Sequence, residues 1–200
     1  MPYLDELRKH IDTIRPVSDE AFALIAPHVE LRATSRGENI VEQDKPCRHA
    51  YCIRSGTFRS YIEEDAQERT RWFAIEGDIF TSTYAMSSGA ASQSSIESIT
   101  KGEVWQVGME HVLAAVQENA EWAFWLSKML LDGLGSWEMR DRQMLSGDSY
   151  TRFRNFYTLK PREILDRIPL QHVASYLSIT PQTLSVLRRR LINESRQSGK

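Results

Sequence analysis

The segment Ile168–Leu191, IPLQHVASYLSITPQTLSVLRRRL, constrains this chain more than any other. Val173, Ala174 and Leu177 share one face of a first short helix, at i, i+1 and i+4. Ile179 falls in a tight connection. Thr180–Pro181 then opens a second helix, with Thr180 as N-cap and Pro181 at the first helical position, where a missing N–H does no harm. Leu184, Leu187 and Leu191 recur at i, i+3 and i+7 and point inward. The opposite face carries Gln182, Ser185, Val186 and Arg189, with Arg188 and Arg190 flanking. Two short helices crossed by a short turn, one of them displaying an amide and a guanidinium outward, describe a helix-turn-helix.

That residue set has a direct chemical use. An amide such as Gln182 bonds adenine bidentately in the major groove, and an arginine does the same to guanine. Arginines that miss the bases neutralise phosphates and hold the helix in register. Thr180, Pro181, Gln182, Thr183, Ser185, Val186, Arg188, Arg189 and Arg190 are therefore the candidate DNA-contacting residues. The alternative is an ordinary helix pair whose arginine-rich end is simply solvated and favourable to the helix dipole.

Charge distribution favours the first reading, while a split of this kind also fits contacts between domains of one chain. The net charge of the chain is −2, which by itself argues against nucleic acid. Residues 150–200, however, hold ten Lys and Arg against three Asp and Glu, while residues 1–149 hold fifteen against twenty-four. An acidic body with a basic tail is the asymmetry expected when only the tail meets phosphate.

Upstream, Leu4, Leu7, Ile11 and Ile14 mark an amphipathic helix over Tyr3–Ile14, and Ser18-Asp-Glu starts a second over Glu20–Ala26. From His28 to about Val107 the pattern changes to short β-branched and aromatic segments. Strands are predicted at Asn39–Glu42, His49–Arg54, Thr57–Ile62, Thr70–Ile75, Ser94–Ile99 and Glu103–Val107, within a set of seven or eight. Their spacing predicts an antiparallel barrel or jelly roll, cupin-like in outline. Met109–Val116 forms a short helix, and a longer helical pattern runs to about Leu145. Its stripe comprises Trp122, Leu126, Met129, Leu130, Gly133, Trp137 and Met144, with Trp125 on the edge. Burying one tryptophan is worth roughly 2–3 kcal/mol, so this helix must be covered. It packs either on its own barrel or on a copy of itself across a two-fold axis. Gly133, costing about 1 kcal/mol in a helix interior, makes sense where backbones approach closely. The dimer is preferred, with Trp122, Trp125, Leu126, Met129, Leu130, Gly133 and Trp137 as its expected interface. Asp148 is expected to cap a further helix lined by Tyr150, Phe153, Phe156 and Tyr157 that ends before Pro161, with a hinge near Ser146–Gly147. The chain then divides into residues 1–108 (lead-in helices and barrel), 109–146 (helical connector) and 147–200 (helix-turn-helix), an α+β organisation.

Other classes find less support. Cys47 and Cys52 stand alone as C-x4-C and read as free thiols, so neither a metal site nor an iron–sulfur cluster is expected. A metal-dependent barrel enzyme needs two or three inward histidines. His28 and His49 form no such set, and His10, His111 and His172 fall on predicted helices as surface or capping residues. No nucleophile triad, Walker loop or dinucleotide fingerprint is present, so no enzyme is predicted. No run of 18 apolar residues and no leader-like N-terminus is found, which gives the cytoplasm as the expected location and no membrane partner.

Taken together, Arg36-Gly-Glu38, Ile53-Arg-Ser-Gly56, Glu76-Gly-Asp78 after Trp72-Phe73, and VASYLSITPQTLSVLRRRL resemble the Crp/Fnr family of bacterial transcription regulators over nearly the whole chain. The Ile179–Ser185 segment is similar to the short-tailed branch common in Bacteroidetes. The resemblance implies a homodimer on a pseudo-palindromic operator of double-stranded DNA, with Pro181–Leu191 in each major groove, half-sites roughly 34 Å apart, and contact with RNA polymerase. Three departures accompany it. Where cyclic-nucleotide members of the family carry a Glu and a phosphate-clamping Arg, this chain has Thr81-Ser82 and Ser92-Gln93, so cyclic AMP or GMP is not expected. Only two cysteines remain, which argues against the iron–sulfur oxygen-sensing mode. Nine residues follow Leu191, fewer than a two-stranded wing needs, and Ser178 stands where many such turns have Gly. The uncharged mouth of the barrel, Gly77, Asp78, Thr81, Ser82, Thr83, Ser92, Gln93 and Ser94, either receives an unidentified neutral small-molecule effector or is a filled site that scaffolds the dimer. A barrel-domain sensor acting through protein contacts without DNA is the alternative function.

Overall fold

The computed structural model describes residues 2–145, 147–159 and 166–198. Two lead-in helices, α1 (Pro2–Ile14) and α2 (Asp19–Ile25), precede the β-region. The Ser18 hydroxyl accepts from the Ala21 N–H and caps α2, as its position predicts. Eight strands follow: β1 (Val29–Thr34), β2 (Asn39–Val41), β3 (His49–Ser55), β4 (Phe58–Glu64), β5 (Gln67–Ala74), β6 (Ile79–Phe80), β7 (Ser95–Ser98) and β8 (Gly102–Gly108). They form two four-stranded antiparallel sheets, β1-β8-β3-β6 and β2-β7-β4-β5, so the jelly roll is the correct one of the two expected forms.

The two-residue period of the strands decides what each face covers. On β3, Tyr51 and Ile53 point between the sheets, where they meet Phe58, Phe80, Ile96 and Val104. Cys52, between them, points the other way with Trp105, its register partner on β8, into a second core shared with the helices. A short helix, α3 (Thr83–Ser88), interrupts the β-region; the sequence reading leaves it as barrel mouth. Ser82 caps its start, and Gly89, in the left-handed region at φ 69°, closes it.

Helix α4 (Met109–Glu118) leads into α5 (Ala120–Leu145). The first half of α5 does not wait for a partner. Trp122 and Trp125 are buried within the chain, and their indole N–H groups donate to Ala21 O at 2.8 Å and Ile11 O at 2.9 Å. Placing both at a two-fold interface is therefore corrected: α1 and α2 cover them. Leu126 and Met129 pack against the same cluster.

After α5 come α6 (Ser149–Leu159), α7 (Leu170–Tyr176) and α8 (Pro181–Ser198). Asp148 caps α6 by accepting from the Thr151 N–H at 2.9 Å, as expected. Ser146 and Pro161, which mark the predicted hinge and helix end, lie outside the described residues. Phe153, Phe156, Val173, Ala174, Leu177, Leu184 and Leu187 make a third core, and Phe73 and Ile99 of the jelly roll belong to it too.

Candidate functional site

Each part of the α7–α8 pair follows from a local sequence cause. Helix α7 ends in a Schellman arrangement: Ile179 N–H donates to Ala174 O at 3.0 Å and Ser178 N–H to Ser175 O at 3.1 Å. Ser178 holds the left-handed position at φ 54°, the conformation for which Gly is usual. Thr180 Oγ1 then accepts from the Thr183 N–H at 3.1 Å and starts α8 on Pro181. The apolar i, i+3, i+7 series turns inward, with Leu184 fully buried, Leu187 buried and Leu191 packed against the same core.

The outward residues divide by what already occupies them. Pro181, Gln182, Ser185, Val186 and Arg189 are exposed, with Val186 at 63%. Ser185 Oγ donates back to Pro181 O, and Thr180 and Thr183 share their hydroxyls in the cap. Arg188 is half-buried and lines a cavity together with Phe153 and Asp166. Arg190 is drawn along the helix to Glu194, Nε to Oε1 at 2.9 Å, with its guanidinium 3.7 Å from the Tyr150 ring centre. Helix α8 continues through Ser198, so the residues after Leu191 that can be described extend the helix.

This pair is docked on the jelly roll, an attachment for which the sequence carries no signal. Ser175 Oγ donates to Glu68 O at 2.8 Å and accepts from the Thr70 N–H at 2.9 Å, bridging α7 to the edge of β5. Phe73, Phe156 and Tyr176 stack in a tilted cluster, and Arg167 pairs with Glu76 at 2.9 Å. His172 is buried here at 8% exposure; the surface or capping role expected from its helix is corrected. Burial, with Arg59 reinforcing it, pushes the imidazole pKa below its ordinary value, while Glu97 and Glu68 oppose the shift. Arg59 is itself buried and ion-paired to both carboxylates.

The eight residues expected at one barrel mouth are not brought together. Gly77 adopts φ +90° with the His10 ring of α1 so close that a Cβ would lie 2.8 Å from Nδ1, so it packs the lead-in helix. Ser82 Oγ caps α3, and Ser92, fully buried, donates to Ser94 O at 2.7 Å. Gln93 is exposed and Ser94 half-buried. Only Asp78, Thr81 and Thr83 reach a common space, a cleft of about 540 Å³ between β5–β6 and the second half of α5. Its other walls include Trp72, Phe73, Phe80, Leu130, Leu134, Trp137 and Arg140. Cys47 and Cys52 are free; burial pushes the Cys52 thiol up to about 12. Among the described residues no group of three or more potential ligands could hold a metal ion, and no helix is long and apolar enough to cross a membrane.

Comparison with known proteins agrees with this architecture. Residues 31–119, from β1 to α4, match the cyclic nucleotide-binding domain family. No curated protein sequence matches the chain. Among solved structures, FixK2 from Bradyrhizobium japonicum aligns with a TM-score of 0.75 at 20% identity, covering 84% of this chain and 86% of that one. A transcriptional regulator of the Crp/Fnr family from Eubacterium rectale aligns at 0.72 and 16%, covering 89% and 85%. CooA from Carboxydothermus hydrogenoformans, in a mutant form, aligns at 0.70 and 17%, covering 92% and 84%. The chain thus carries a cyclic nucleotide-binding-type β-domain. Its overall fold is that of the Crp/Fnr transcription regulators.

Proposed function

We propose that this protein is a homodimeric DNA-binding transcription regulator of the Crp/Fnr type. Residues 147–200 act as its reading head, 109–146 as its connector and 1–108 as its sensor body. The observation that carries this reading is the division of α8: three leucines lock one face into the core, while Gln182, Ser185, Val186 and Arg189 are exposed on the other. An amide, a hydroxyl, a methyl-bearing side chain and a guanidinium side by side are what base edges require.

The second half of α5 supports dimerisation. Leu131, Leu134 and Met139 are exposed at 64%, 58% and 59% on one helix. Around Gly133, moreover, a Cβ would meet nothing in its own chain within 4 Å. An exposed apolar stripe of this kind marks an interface. Leu130 and Gly133 remain in the proposed interface, Leu131, Leu134 and Met139 join it, and Trp122 and Trp125 leave it.

The effector in this reading is not a cyclic nucleotide. At the position of the phosphate-clamping Arg stands Ser92 and at that of the Glu stands Ser82, and both hydroxyls are already bonded to nearby backbone groups. Losing charge-assisted bonds to a buried phosphate forfeits roughly 1.5–3 kcal/mol each.

The test is binding to operator-like duplex DNA across a salt series. The regulator loses affinity steeply as salt rises, whereas a sensor acting only through protein contacts shows no binding to lose. Arg189→Ala weakens binding at least tenfold, and Gln182→Ala relaxes sequence preference. Wild-type footprints from both variants would show that this face of α8 does not read DNA.

A further inference from the structure

Three tryptophans line one cavity, and only two of their N–H groups find an acceptor. The cavity, of about 70 Å³, lies on the outer face of the sheet β1-β8-β3-β6, beneath α1, α2, α4 and the first half of α5. Leu7, Ile25, Val29 and Val112 bring these elements into its wall beside Trp105, Trp122 and Trp125. None of the α5 residues from Leu130 to Arg140 takes part. Trp122 and Trp125 donate to Ala21 O and Ile11 O at 2.8 Å and 2.9 Å. Trp105 is 1% exposed, and its Nε1 is buried with no hydrogen-bond partner. The His10 ring lies 5.7 Å from it centre to centre, and the Arg54 guanidinium carbon 5.9 Å from its ring centre. Neither neighbour accepts the indole proton.

The rest of the wall restricts what can satisfy that donor. Among the described residues no Asp, Glu, Lys, Arg or His lines the cavity, and burial pushes the Cys52 thiol up to about 12, so it stays protonated. A charged guest would lose its hydration without a counter-charge, so the guest is neutral. The Tyr51 and Thr81 hydroxyls already donate to Ile40 O at 3.2 Å and His49 O at 2.9 Å, so what the wall lacks is an acceptor for Trp105. Size sets the last limit. An apolar cavity of roughly 150 Å³ takes benzene, so this one holds about three to five heavy atoms.

We infer that this cavity binds a small neutral carbonyl compound, a ketone or aldehyde, its oxygen accepting from Trp105 Nε1 and its alkyl groups packed among Leu7, Ile25 and Trp122. A carbonyl oxygen supplies the acceptor and brings no proton that needs a second partner. The guest touches α1, α2 and α5 together, and its binding does not require that the protein recognise DNA.

The test is a titration of the full chain, carrying isotope-labelled tryptophan, with acetone and with methylpropene, which has the same shape but no acceptor. The readout is the magnetic resonance of the indole N–H groups. Acetone shifts the Trp105 signal downfield, saturably and by more than any other tryptophan signal, whereas methylpropene binds without that downfield shift. Trp105→Phe, followed through the Trp122 signal, lowers acetone affinity by roughly fivefold or more and leaves that of methylpropene within about twofold. Val29→Ile, which adds one methylene to the wall, weakens both probes. A response that does not saturate, acetone affinity unchanged by Trp105→Phe, or an equal loss of both probes in that variant each overturns the proposal. So does a Trp105 N–H that contacts a long-lived water and ignores acetone, which would assign the donor to solvent. If Trp105→Phe does not fold, the downfield shift in the parent and the loss in Val29→Ile decide the matter.

Discussion

The two halves of α5 are one continuous helix with opposite fates. In the first half, Trp122 and Trp125 are buried and each indole N–H finds a backbone carbonyl on the lead-in helices. In the second half, Leu131, Leu134, Met139 and Leu145 lie exposed, and Trp137 is half-covered between two arginines. The residue types are similar; what differs is the neighbour. Where α1 and α2 run alongside, the helix completes a core, and where they do not, it presents a surface. Apolar periodicity thus states that a helix will be covered and says nothing of what covers it.

Breaking the covered half should have the largest effect. Trp122→Ala removes a buried ring together with its hydrogen bond and should cost about 3–5 kcal/mol, read as a lower urea midpoint of the whole chain. A loss below about 1 kcal/mol would mean that the α2–α5 packing contributes little. The bare half should respond in the opposite way. Leu131→Glu/Leu134→Glu should leave the unfolding midpoint of the protomer within about 0.5 kcal/mol per site, since exposed substitutions rarely do more. Light scattering should nevertheless show the variant as a monomer where the parent is a dimer. A parent that is already monomeric would remove the two-fold arrangement altogether.

The smallest effect should come from the docking of α7 and α8 on the jelly roll. His172 is buried with its pKa lowered, so the folded chain binds fewer protons there than the unfolded one. Stability is therefore greatest above the unfolded value of about 6.5 and declines as pH falls from there toward the lower folded pKa. Between pH 7.5 and 5.5 the parent should lose more stability than His172→Gln. Equal losses would show that His172 is not the group responsible. Because the imidazole lies at the α7–β5 contact, the α7 region should gain hydrogen exchange at acid pH before the Trp122 core does.

Much of the architecture was legible in local chemistry. The caps at Ser18, Asp148 and Thr180, the leucine face of α8 and six of the eight strands all depend on interactions within a few residues or on a two-residue alternation. β1 and β6 leave no such local signal, because Val29–Thr34 and the two-residue Ile79–Phe80 acquire strand character from their partners β8 and β3. The candidate site was legible by halves. Which side chains of α8 face outward follows from its period, but that Arg190 turns to Glu194 and Tyr150 does not. The barrel mouth failed for a similar reason: serine hydroxyls that suggest a ligand pocket in sequence are consumed by backbone once α3 forms.

By itself, the sequence determined the elements, their order and the polarity of each face, since these rest on propensities and periods acting over one or two turns. Only the tertiary structure decided which tryptophans are internal, that His172 is buried within the electrostatic reach of Arg59, Glu68 and Glu97, and that Arg71 and Arg140, 69 positions apart, share one ring. Burial and electrostatic environment belong to residues brought together across the fold, and no local pattern records their distance.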